Sequence, residues 1–563
     1  MTIQPASLSM TTTPEIAVGD LIAEALADAG VTTLFGVISI HNMPILDAVL
    51  RQGRIRFVPA RGEAGAMNMA DAYARVASGL GVVLTSTGTA AGNAAGAQVE
   101  ALTAGSPVLH ITTTVDTQFM DRDRAAIHDV PRQPDMLKAV SKAYFRIWEA
   151  RGALATLHAA MSAALSAPTG PVSLEIPVDV QRGLAPRPLV AGGPTLAVLP
   201  PDPARLDVIA DLVKKARRPI LFVGGGARSA REAATALVER GFAAVTSTNG
   251  RAVVPEDHPQ SLGAFNMTPD AQAIYDAADL VLVVGTRLRG NETRNNLMRL
   301  PRPFIQIDAE ATQGGRNYPV DLFLHADAKL ALEGLLARLP EKLDTDAGFL
   351  ASVTAARAKG EAALLAQLGP YETVAKVMRD RVFRDARPFI RDVTISNSTF
   401  GNRFVSLAAP NLGVHALGGG IGQGVAMSVG GAIAGGAVKS VALVGDGGTQ
   451  LNLGELATVA EENCNLVIVL MNDCAYGVIS NIQDAQYDGR RAFCRLRTPD
   501  FGLLCQSIGL THRKISRIED FEPAFDAALG QPGAVMLEVD MIAIGPFAQP
   551  FGGPPAGAAG GAR

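Results

Sequence analysis

The chain has 563 residues, about three to four times the usual length of a single domain, so we expect several domains. Hydrophobic residues make up 48% of it and charged residues 18%, which predicts large buried cores and excludes a disordered chain. Fifty basic residues against 54 acidic ones leave a net charge of −4. This balance argues against nucleic acid or an anionic membrane as partner, because both require a basic surplus.

The four cysteines form neither a CxxC pair nor a zinc-ligand spacing, which is typical of reduced thiols in the cytoplasm. The N-terminal segment MTIQPASLSMTTTPE has no basic region followed by an apolar one, so we expect no signal peptide. Residues 416–438 carry no charge, but nine of them are glycine, which favours a buried turn and a core helix over a membrane span. We therefore predict a cytoplasmic protein without membrane contact.

The first block, residues 14–180, alternates between helical and extended patterns. The segments IAVGDLIAEALADAG, ILDAVLRQG and AGAMNMADAYARVASG space their apolar residues like helices, whereas TTLFGVI, RFVPA and GVVLTST are short β-branched runs. The block ends with GPVSLEIPVDV, which predicts a buried strand. Helices that alternate with short strands predict a parallel sheet with crossover helices.

A linker rich in Pro and Gly leads to a second block, residues 205–339, in which the alternation repeats. The segment PILFVGGG is followed by a helical pattern, and LVLVVGTRL and PFIQIDAE predict further strands. The turn FVGGGA resembles a nucleotide-binding turn but lacks the complete GxGxxG pattern and its downstream acidic residue. A tight strand-to-helix turn is the simpler interpretation.

A helical connector, FLASVTAARAKGEAALLAQLG, precedes the third block, residues 370–540. Here VTISNS, VALVGDGG, LVIVLMND and AVMLEVDM predict parallel strands. Residues 541–563 are rich in Gly, Pro and Ala and predict either a flexible end or a flap over a site. The fold class is therefore predicted to be α/β, with three consecutive parallel-sheet domains.

The clearest chemical motif is Gly445-Asp446-Gly447, followed after 24 residues by Asn472-Asp473. Each half directly follows an apolar strand, so both place oxygen ligands at strand ends. The glycines would let a diphosphate approach the backbone closely. A hard cation held by few protein oxygens together with phosphate oxygens suits Mg²⁺. Two unrelated capping turns are the alternative, which the paired spacing disfavours.

This spacing resembles the fingerprint of the thiamine-diphosphate (ThDP) enzyme family, in which GDG is followed by an Asn pair. The likeness covers nearly the whole chain. It implies a pyrimidine-binding domain at 14–180, a central Rossmann-like domain at 205–339 and a diphosphate-binding domain at 370–540. It also assigns Mg²⁺ to Asp446, to Asp473 in place of the family's second Asn, and to the carbonyl of Ala475. The remaining diphosphate-side contacts fall on Gly445, Gly447, Gly448, Asn472 and Tyr476.

The first block supplies a candidate for the family's activating glutamate. The segment FVPARGEAGAMNMADAYAR places Glu63 after a strand and at the start of an amphipathic helix. The resemblance implies that the Glu63 carboxyl protonates N1′ of the aminopyrimidine, so that the 4′-imine can remove the thiazolium C2 proton and form the ylid. Without the other motif, Glu63 would be an ordinary charge at a helix N-terminus.

A glycine-rich turn resembles the family turn that bends the cofactor. In GGGIGQGVAMSVGGAIAG, an alignment without gaps places Ile421 where the family has a bulky apolar side chain beneath the thiazolium ring. The resemblance therefore adds Ile421 to the cofactor-binding residues. An ordinary core isoleucine is the alternative.

Relatives differ in the polar residues around the reactive carbon of the cofactor. Pyruvate-type decarboxylases have a consecutive His-His pair, which this chain lacks. Acetolactate synthases and benzaldehyde lyase have a glutamine near the position of His128, and Gln133 could replace it after a shift. His41 and His415 fall on histidines of benzaldehyde lyase. Because histidine titrates near neutral pH, we predict His41, His128 and His415 as proton carriers, with a purely structural role as the alternative for each.

Together these residues predict a ThDP- and Mg²⁺-dependent enzyme that makes or breaks a C–C bond beside a carbonyl group. The missing His-His pair and the two matched histidines favour a carboligase or lyase that acts on 2-oxo acids, aldehydes or acyloins through an ylid and an enamine. Three alternatives stay open: a 2-oxo acid decarboxylase of the benzoylformate decarboxylase type, a 2-hydroxyacyl-CoA lyase, and a non-catalytic regulatory protein that binds ThDP or a nucleotide. The presence of Glu63 argues against the last of these.

The family builds each site between the first domain of one subunit and the third domain of another. The resemblance therefore implies a homodimer as the minimum and favours a homotetramer, with small carbonyl compounds as substrates and no nucleic-acid partner. The segment IDAEATQGGRNYPVDLFLHADAKLAL is similar to the acetolactate synthase group, whose central domain can hold FAD or ADP. Because no matching nucleotide contacts are found, FAD is not predicted.

Overall fold

The computed structural model describes residues 14–189 and 192–552. It contains three large sheets of six, five and six strands, and all strand pairings within these sheets are parallel. Helices form the crossovers between parallel strands and cover the sheets. The predicted fold class, three consecutive parallel-sheet α/β domains, is confirmed.

The first unit carries eight strands and seven helices among the described residues. Its strands are β1 (Glu15–Ala17), β2 (Thr33–Gly36), β3 (Arg56–Pro59), β4 (Gly81–Thr85), β5 (Val108–Thr114), β6 (Ala143–Arg146), β7 (Val172–Pro177) and β8 (Leu184–Pro186). Its helices are α1 (Val18–Asp28), α2 (Met43–Gln52), α3 (Glu63–Ala77), α4 (Thr89–Ala104), α5 (Gln133–Ala139), α6 (Ala153–Leu165) and α7 (Val178–Arg182). The large sheet has the order β3-β2-β4-β5-β7-β6, and β1 pairs with β8 in a separate antiparallel ribbon.

The second unit is a five-stranded sheet with helices on both sides. Its strands are β9 (Pro219–Val223), β10 (Ala243–Thr246), β11 (Leu280–Val284), β12 (Phe304–Asp308) and β13 (Leu322–His325). Its helices are α8 (Pro203–Lys215), α9 (Arg231–Glu239), α10 (Pro269–Ala277) and α11 (Ala328–Leu336). The strand order is β10-β9-β11-β12-β13. The predicted connector forms one long helix, α12 (Ala347–Leu368).

The third unit holds the predicted metal motif. Its strands are β14 (Phe389–Arg391), β15 (Gly413–His415), β16 (Ser440–Gly445), β17 (Leu466–Asn472), β18 (Thr511–Ile515) and β19 (Ala534–Asp540). Its helices are α13 (Glu372–Arg384), α14 (Gly424–Gly435), α15 (Asp446–Leu451), α16 (Glu455–Glu461), α17 (Gly477–Gln486), α18 (Phe501–Ile508), α19 (Phe521–Gly530) and α20 (Met541–Ile544). The strand order is β15-β14-β16-β17-β19-β18.

The segment VTISNS, predicted as a strand, is not one. The strand ends at Arg391, and the chain then turns into a π-helical turn over Asn397–Gly401. The Thr394 hydroxyl accepts a hydrogen bond from the Asn397 backbone N–H at 3.0 Å, so a side chain satisfies this backbone group instead of a neighbouring strand. The β-branched residues of this segment resembled a strand because the pattern does not show such local hydrogen bonds.

The described part of the predicted tail, residues 541–552, contacts Tyr371, the residue before α13. Phe547 is buried, and its ring centroid lies 4.5 Å from that of Tyr371. The Tyr371 hydroxyl also donates a hydrogen bond to the Gly545 carbonyl. Residues 553–563 lie outside the described part of the chain.

The cysteines and the hydrophobicity of the helices were both considered in the sequence. All four cysteines are free thiols. Within residues 14–189 and 192–552, every helix is too short or too polar to traverse a lipid bilayer.

Helix α3 of the first unit packs directly against helix α14 of the third unit. A Cβ atom at Gly430 would lie 2.0 Å from the Met69 carbonyl oxygen, so only glycine permits this close approach. Apolar residues of both helices belong to one buried cluster. Because Glu63 begins α3 and Ile421 lies three residues before α14, this packing fixes these two residues of one chain relative to each other.

Candidate active site

Acidic residues follow three neighbouring strands of the third sheet. Asp392 follows β14, Asp446 follows β16 and Asp473 follows β17, and these strands lie side by side. The carboxyl ends of parallel strands share one edge of a sheet, and open α/β sheets bind their ligands there. The fold therefore brings the two predicted metal ligands to one edge and adds Asp392, which the sequence motifs did not indicate.

Asp446, which is buried, and Asp473, which is partly exposed, lie next to each other. The Asp473 backbone N–H donates to Asp446 Oδ1 at 3.4 Å. Burial and the nearby Asp473 charge raise the pKa of Asp446, and burial also raises the pKa of Asp473. Asp446 Oδ2 is buried and has no hydrogen-bond partner among the described residues. A cation would neutralise such a pair.

This donor set fits Mg²⁺, which is usually held by one or two carboxylates, phosphate oxygens and water. No group of three or more His, Cys, Asp or Glu side chains within residues 14–189 and 192–552 is arranged to hold a metal ion. The Ala475 backbone N–H donates to Asp473 Oδ1 at 3.2 Å and fixes this carboxylate. Asp446, Asp473 and the Ala475 carbonyl would hold the ion, an assignment that stays a prediction.

Further polar atoms at this edge are buried without a partner in the described residues. They are Ser396 Oγ, Asn397 Oδ1, Gln423 Oε1 and Thr449 Oγ1. Buried polar atoms normally form hydrogen bonds, so several unsatisfied ones around Asp446 fit a polar ligand such as a diphosphate. The motifs did not indicate these residues. Gln423 lies within the glycine-rich turn quoted above, Thr449 follows Gly448, and Ser396 and Asn397 belong to VTISNS, but none of the four was predicted as a contact.

Ile421 lies on a turn that is held from two sides. Gly419 and Gly422 have φ values of +81° and +87°, a conformation that favours glycine. The buried Asp392 carboxylate accepts a hydrogen bond from Gly422 N at 3.0 Å, and burial raises the pKa of Asp392 to about 6. The Asn452 amide donates to the Gly422 carbonyl. Ile421 itself is 40% exposed, which is unlike a core isoleucine.

The turn from β16 into α15 contains the predicted contacts Gly445, Gly447 and Gly448. Tyr476 lies beside it, since a Cβ atom at Gly447 would come within 2.8 Å of the tyrosine ring. Asn472 is engaged inside the protein, because its Nδ2 donates to Glu538 Oε1 at 2.8 Å. This hydrogen bond holds Asn472 at the end of β17. A contact of Asn472 with the cofactor stays a prediction.

Glu63 is the first residue of α3 and is partly exposed. Asn93 Nδ2 on α4 donates to Glu63 Oε2 at 3.1 Å and orients the carboxyl group through one of its oxygens. The extended backbone of Gly62 leads into the helix without a side-chain cap. The Glu63 carboxyl group is therefore partly accessible at the N-terminal end of α3, and the predicted proton transfer to the cofactor requires such access.

His41 and His128 come from separate loops and meet edge to face, with their ring centroids 5.1 Å apart. Ser86 Oγ lies 3.3 Å from His41 Nδ1. Burial and the neighbouring His128 lower the pKa of His41. His128 has φ +66°, and such strain in a residue other than glycine is concentrated at functional sites. The fold thus builds a histidine pair that is invisible in the sequence.

Gln133, the substitute considered for His128, is buried and engaged within the protein. Its side-chain oxygen accepts from the Gly88 backbone N–H at 2.7 Å. Its Nε2 donates to the Thr113 carbonyl at 3.0 Å and to Glu175 Oε1 at 2.6 Å. Gln133 therefore joins the start of α5 to the loop after β4 and to strands β5 and β7, and a contact of Gln133 with a substrate stays untested.

His415 ends β15, at the same edge of the sheet as Asp446. Burial and the Arg391 guanidinium hold the pKa of His415 well below its ordinary value. Asn397 Nδ2 lies 3.2 Å from His415 Nδ1. A histidine that stays neutral can form hydrogen bonds but carries a proton poorly, and the role of His415 in proton transfer stays a prediction.

A cleft of about 540 Å³ lies at the carboxyl ends of the second unit's strands. The glycines of FVGGGA are required there by neighbouring backbone, since a Cβ atom at Gly224 would lie 2.3 Å from the Gly285 carbonyl oxygen. This packing favours the simple strand-to-helix turn. The expectation that FAD is not a cofactor stays a prediction, which the visible absorption spectrum of the purified protein tests.

Comparison with known proteins gives the same family as the motifs. The models for the N-terminal TPP binding domain, the central domain and the C-terminal TPP binding domain of thiamine pyrophosphate enzymes match residues 16–138, 206–335 and 395–539. The chain therefore belongs to the thiamine pyrophosphate enzyme family. Thiamine pyrophosphate is ThDP, so the predicted enzyme class and this cofactor are confirmed.

Individual relatives match over most of the chain. The probable 2-ketoarginine decarboxylase AruI of Pseudomonas aeruginosa is 30% identical, over 92% of this chain and 93% of that protein. A chloroplastic acetolactate synthase of Arabidopsis thaliana is 25% identical, over 92% of this chain and 80% of that protein. Acetolactate synthase 2 of Brassica napus is 27% identical, with corresponding coverages of 92% and 84%. The relatives thus include one protein named as a probable decarboxylase and several named as acetolactate synthases.

Proposed function

We propose that this chain is a ThDP- and Mg²⁺-dependent decarboxylase of 2-oxo acids. The contact between His41 and His128, with ring centroids 5.1 Å apart, carries the proposal. The sequence favoured a carboligase or lyase partly because a consecutive His-His pair is missing. The fold forms a pair from two loops and so removes that reason. The 30% identical relative named as a probable 2-ketoarginine decarboxylase supports the same choice.

Bound ThDP supplies a nucleophilic carbon and an electron sink for the bond that breaks. In a dimer of the kind that the family implies, the first domain of one copy and the third domain of the other would hold the two ends of this cofactor. Asp446, Asp473 and the Ala475 carbonyl would hold Mg²⁺ against the diphosphate. Glu63 would hold a proton at the aminopyrimidine nitrogen, and Ile421 would support the bent cofactor from below.

Decarboxylation also needs a proton for the carbon that loses its carboxylate. The carboxylate leaves as CO₂, and the aldehyde product gains one proton at the same carbon. Two histidine rings in contact disfavour a double positive charge, so one ring stays neutral while its neighbour holds the proton. The pair His41–His128 can therefore deliver one proton per turnover from Nδ1 or Nε2 and regain it from solvent.

Replacing either histidine of the pair by phenylalanine is expected to lower aldehyde formation by about 10²-fold, because the proton donor is lost. Pyruvate, benzoylformate and 2-ketoarginine are suitable test substrates, with CO₂ and aldehyde measured together. The substitution should also raise the share of acyloin, since an intermediate that is not protonated persists longer. The exposed His325, replaced by glutamine, serves as a matched control and should leave both products unchanged.

Aldehyde formation within about twofold of wild type in both His41→Phe and His128→Phe would contradict the role of the pair. Acyloin as the main product of the unmodified protein would instead support a carboligase, in line with the acetolactate synthase relatives.

A further inference from the structure

The N-terminal end of α3 is capped by a residue from another domain. Its N-cap, Gly62, has no side chain to offer. Glu455, the first residue of α16, accepts hydrogen bonds from the backbone N–H groups of Arg61 at 3.0 Å and Gly62 at 3.1 Å. Glu455 is 2% exposed, and the Thr458 hydroxyl also donates to its carboxylate, at 2.7 Å. A buried carboxylate thus binds the two peptide groups that precede Glu63.

We propose that Glu455 is a positioning residue that fixes the Glu63 carboxyl group for its proton transfer; this inference rests on the proposed function. Each residue of the backbone has only two soft dihedral angles, so fixing the peptides of residues 61 and 62 leaves little freedom at residue 63. Hydrogen bonds from N–H groups to a carboxylate are about twice as strong as neutral ones. Glu455 also satisfies N–H groups at an otherwise uncapped helix start.

The packing around Glu455 leaves no room for an alternative arrangement. A Cβ atom at Gly65, in the first turn of α3, would lie 2.0 Å from Glu455 Oε1. Glycine at this position lets α3 close over the carboxylate. A larger residue would displace the carboxylate from the N–H groups while leaving Glu455 in the chain.

The position of Glu455 in the sequence places it near the other motifs of the third unit. Residues 446–458 begin with the metal-ligand candidate Asp446. They continue with Asn452, whose amide donates to the carbonyl of Gly422 in the turn that carries Ile421. Glu455 follows three residues later. This short segment therefore contains a metal-ligand candidate and contacts both the turn that carries Ile421 and the peptides that precede Glu63.

The test uses the full-length protein with Glu455→Ala, Glu455→Gln and Gly65→Ala. Hydrogen–deuterium exchange at C2 of bound ThDP, followed by NMR after acid quench, reports on proton transfer by Glu63 without any substrate. Calorimetry gives the ThDP dissociation constant, and circular dichroism gives Tm. We expect exchange to slow about tenfold to hundredfold in Glu455→Ala, with ThDP affinity within about threefold of wild type. Glu455→Gln keeps one acceptor and should recover part of the rate.

Two further comparisons separate positioning from general stability. Gly65→Ala should slow exchange like Glu455→Ala, and the double variant should be no worse than either single one, because both act on the same contact. Arg61, in the loop before α3, also forms an exposed ion pair with Glu461 through its side chain. Glu461→Gln removes this ion pair and should leave the C2 exchange rate unchanged.

The proposal would be overturned if the C2 exchange rate of Glu455→Ala stayed within about twofold of wild type, whatever the change in Tm. If Glu455→Ala does not fold, the same result in both Glu455→Gln and Gly65→Ala would overturn it. A different result would contradict the proposed function itself. In that case the wild-type protein binds ThDP, but the C2 proton exchanges no faster than in free ThDP.

Discussion

Glu63→Gln is expected to lower kcat for decarboxylation by about 10²- to 10⁴-fold, the usual contribution of a positioned acid–base group. Glutamine has nearly the same shape and can still bond to the Asn93 amide through its oxygen, but it cannot transfer the proton. The ThDP dissociation constant should therefore change little. Steady-state kinetics with a turned-over 2-oxo acid and calorimetric titration with ThDP measure the two quantities.

Asn93→Ala is a suitable companion variant. It removes the donor at 3.1 Å from Glu63 Oε2 but leaves the carboxyl group in place, so we expect a smaller loss than in Glu63→Gln. Full activity in Glu63→Gln would mean that another group activates the cofactor, and the assignment of α3 to this task would be wrong.

Asp446→Ala is expected to weaken Mg²⁺-dependent ThDP binding by at least about 100-fold. Substitution of a residue that only supports a metal ligand lowers metal affinity by up to about 100-fold. Asp446 is proposed as a ligand itself, so the loss of affinity should be at least as large. Asp446 and Asp473 are the two side chains proposed as ligands of the ion. Titrations with ThDP at several Mg²⁺ concentrations should lose their metal dependence in this variant.

Asp473→Asn is the matched control because it keeps an oxygen ligand and restores the residue that the family fingerprint has at this position. Binding should fall much less than in Asp446→Ala. The metal-free protein should gain thermal stability, because one of two adjacent carboxylates is removed. Unchanged Mg²⁺ dependence in Asp446→Ala would place the metal elsewhere.

The residues that the sequence indicated lie at the ends of regular elements. Glu63 begins a helix, Asp446 and Asp473 follow buried strands, and Ile421 lies between glycines that demand a turn. Motif and element coincide at these places, so spacing along the chain is enough to place each group at the end of a strand or at the start of a helix.

The residues that the sequence did not indicate act through tertiary contacts. His41 and His128 meet because two loops converge, and Glu455 caps a helix that begins nearly 400 residues earlier. Gln133 resembled a substrate contact, and in the fold its side chain is buried and hydrogen-bonded within the first unit. No local pattern records which side chains face each other after packing, so these roles became visible only in the fold.

The most direct test of the account is a product analysis with a series of 2-oxo acids, in the presence of ThDP and Mg²⁺. CO₂, aldehyde and acyloin are quantified together for each compound. The account predicts at least one acid that yields CO₂ and aldehyde in equal amounts, only when both cofactors are present. CO₂ accompanied by acyloin in place of aldehyde, or no CO₂ from any acid, would contradict it.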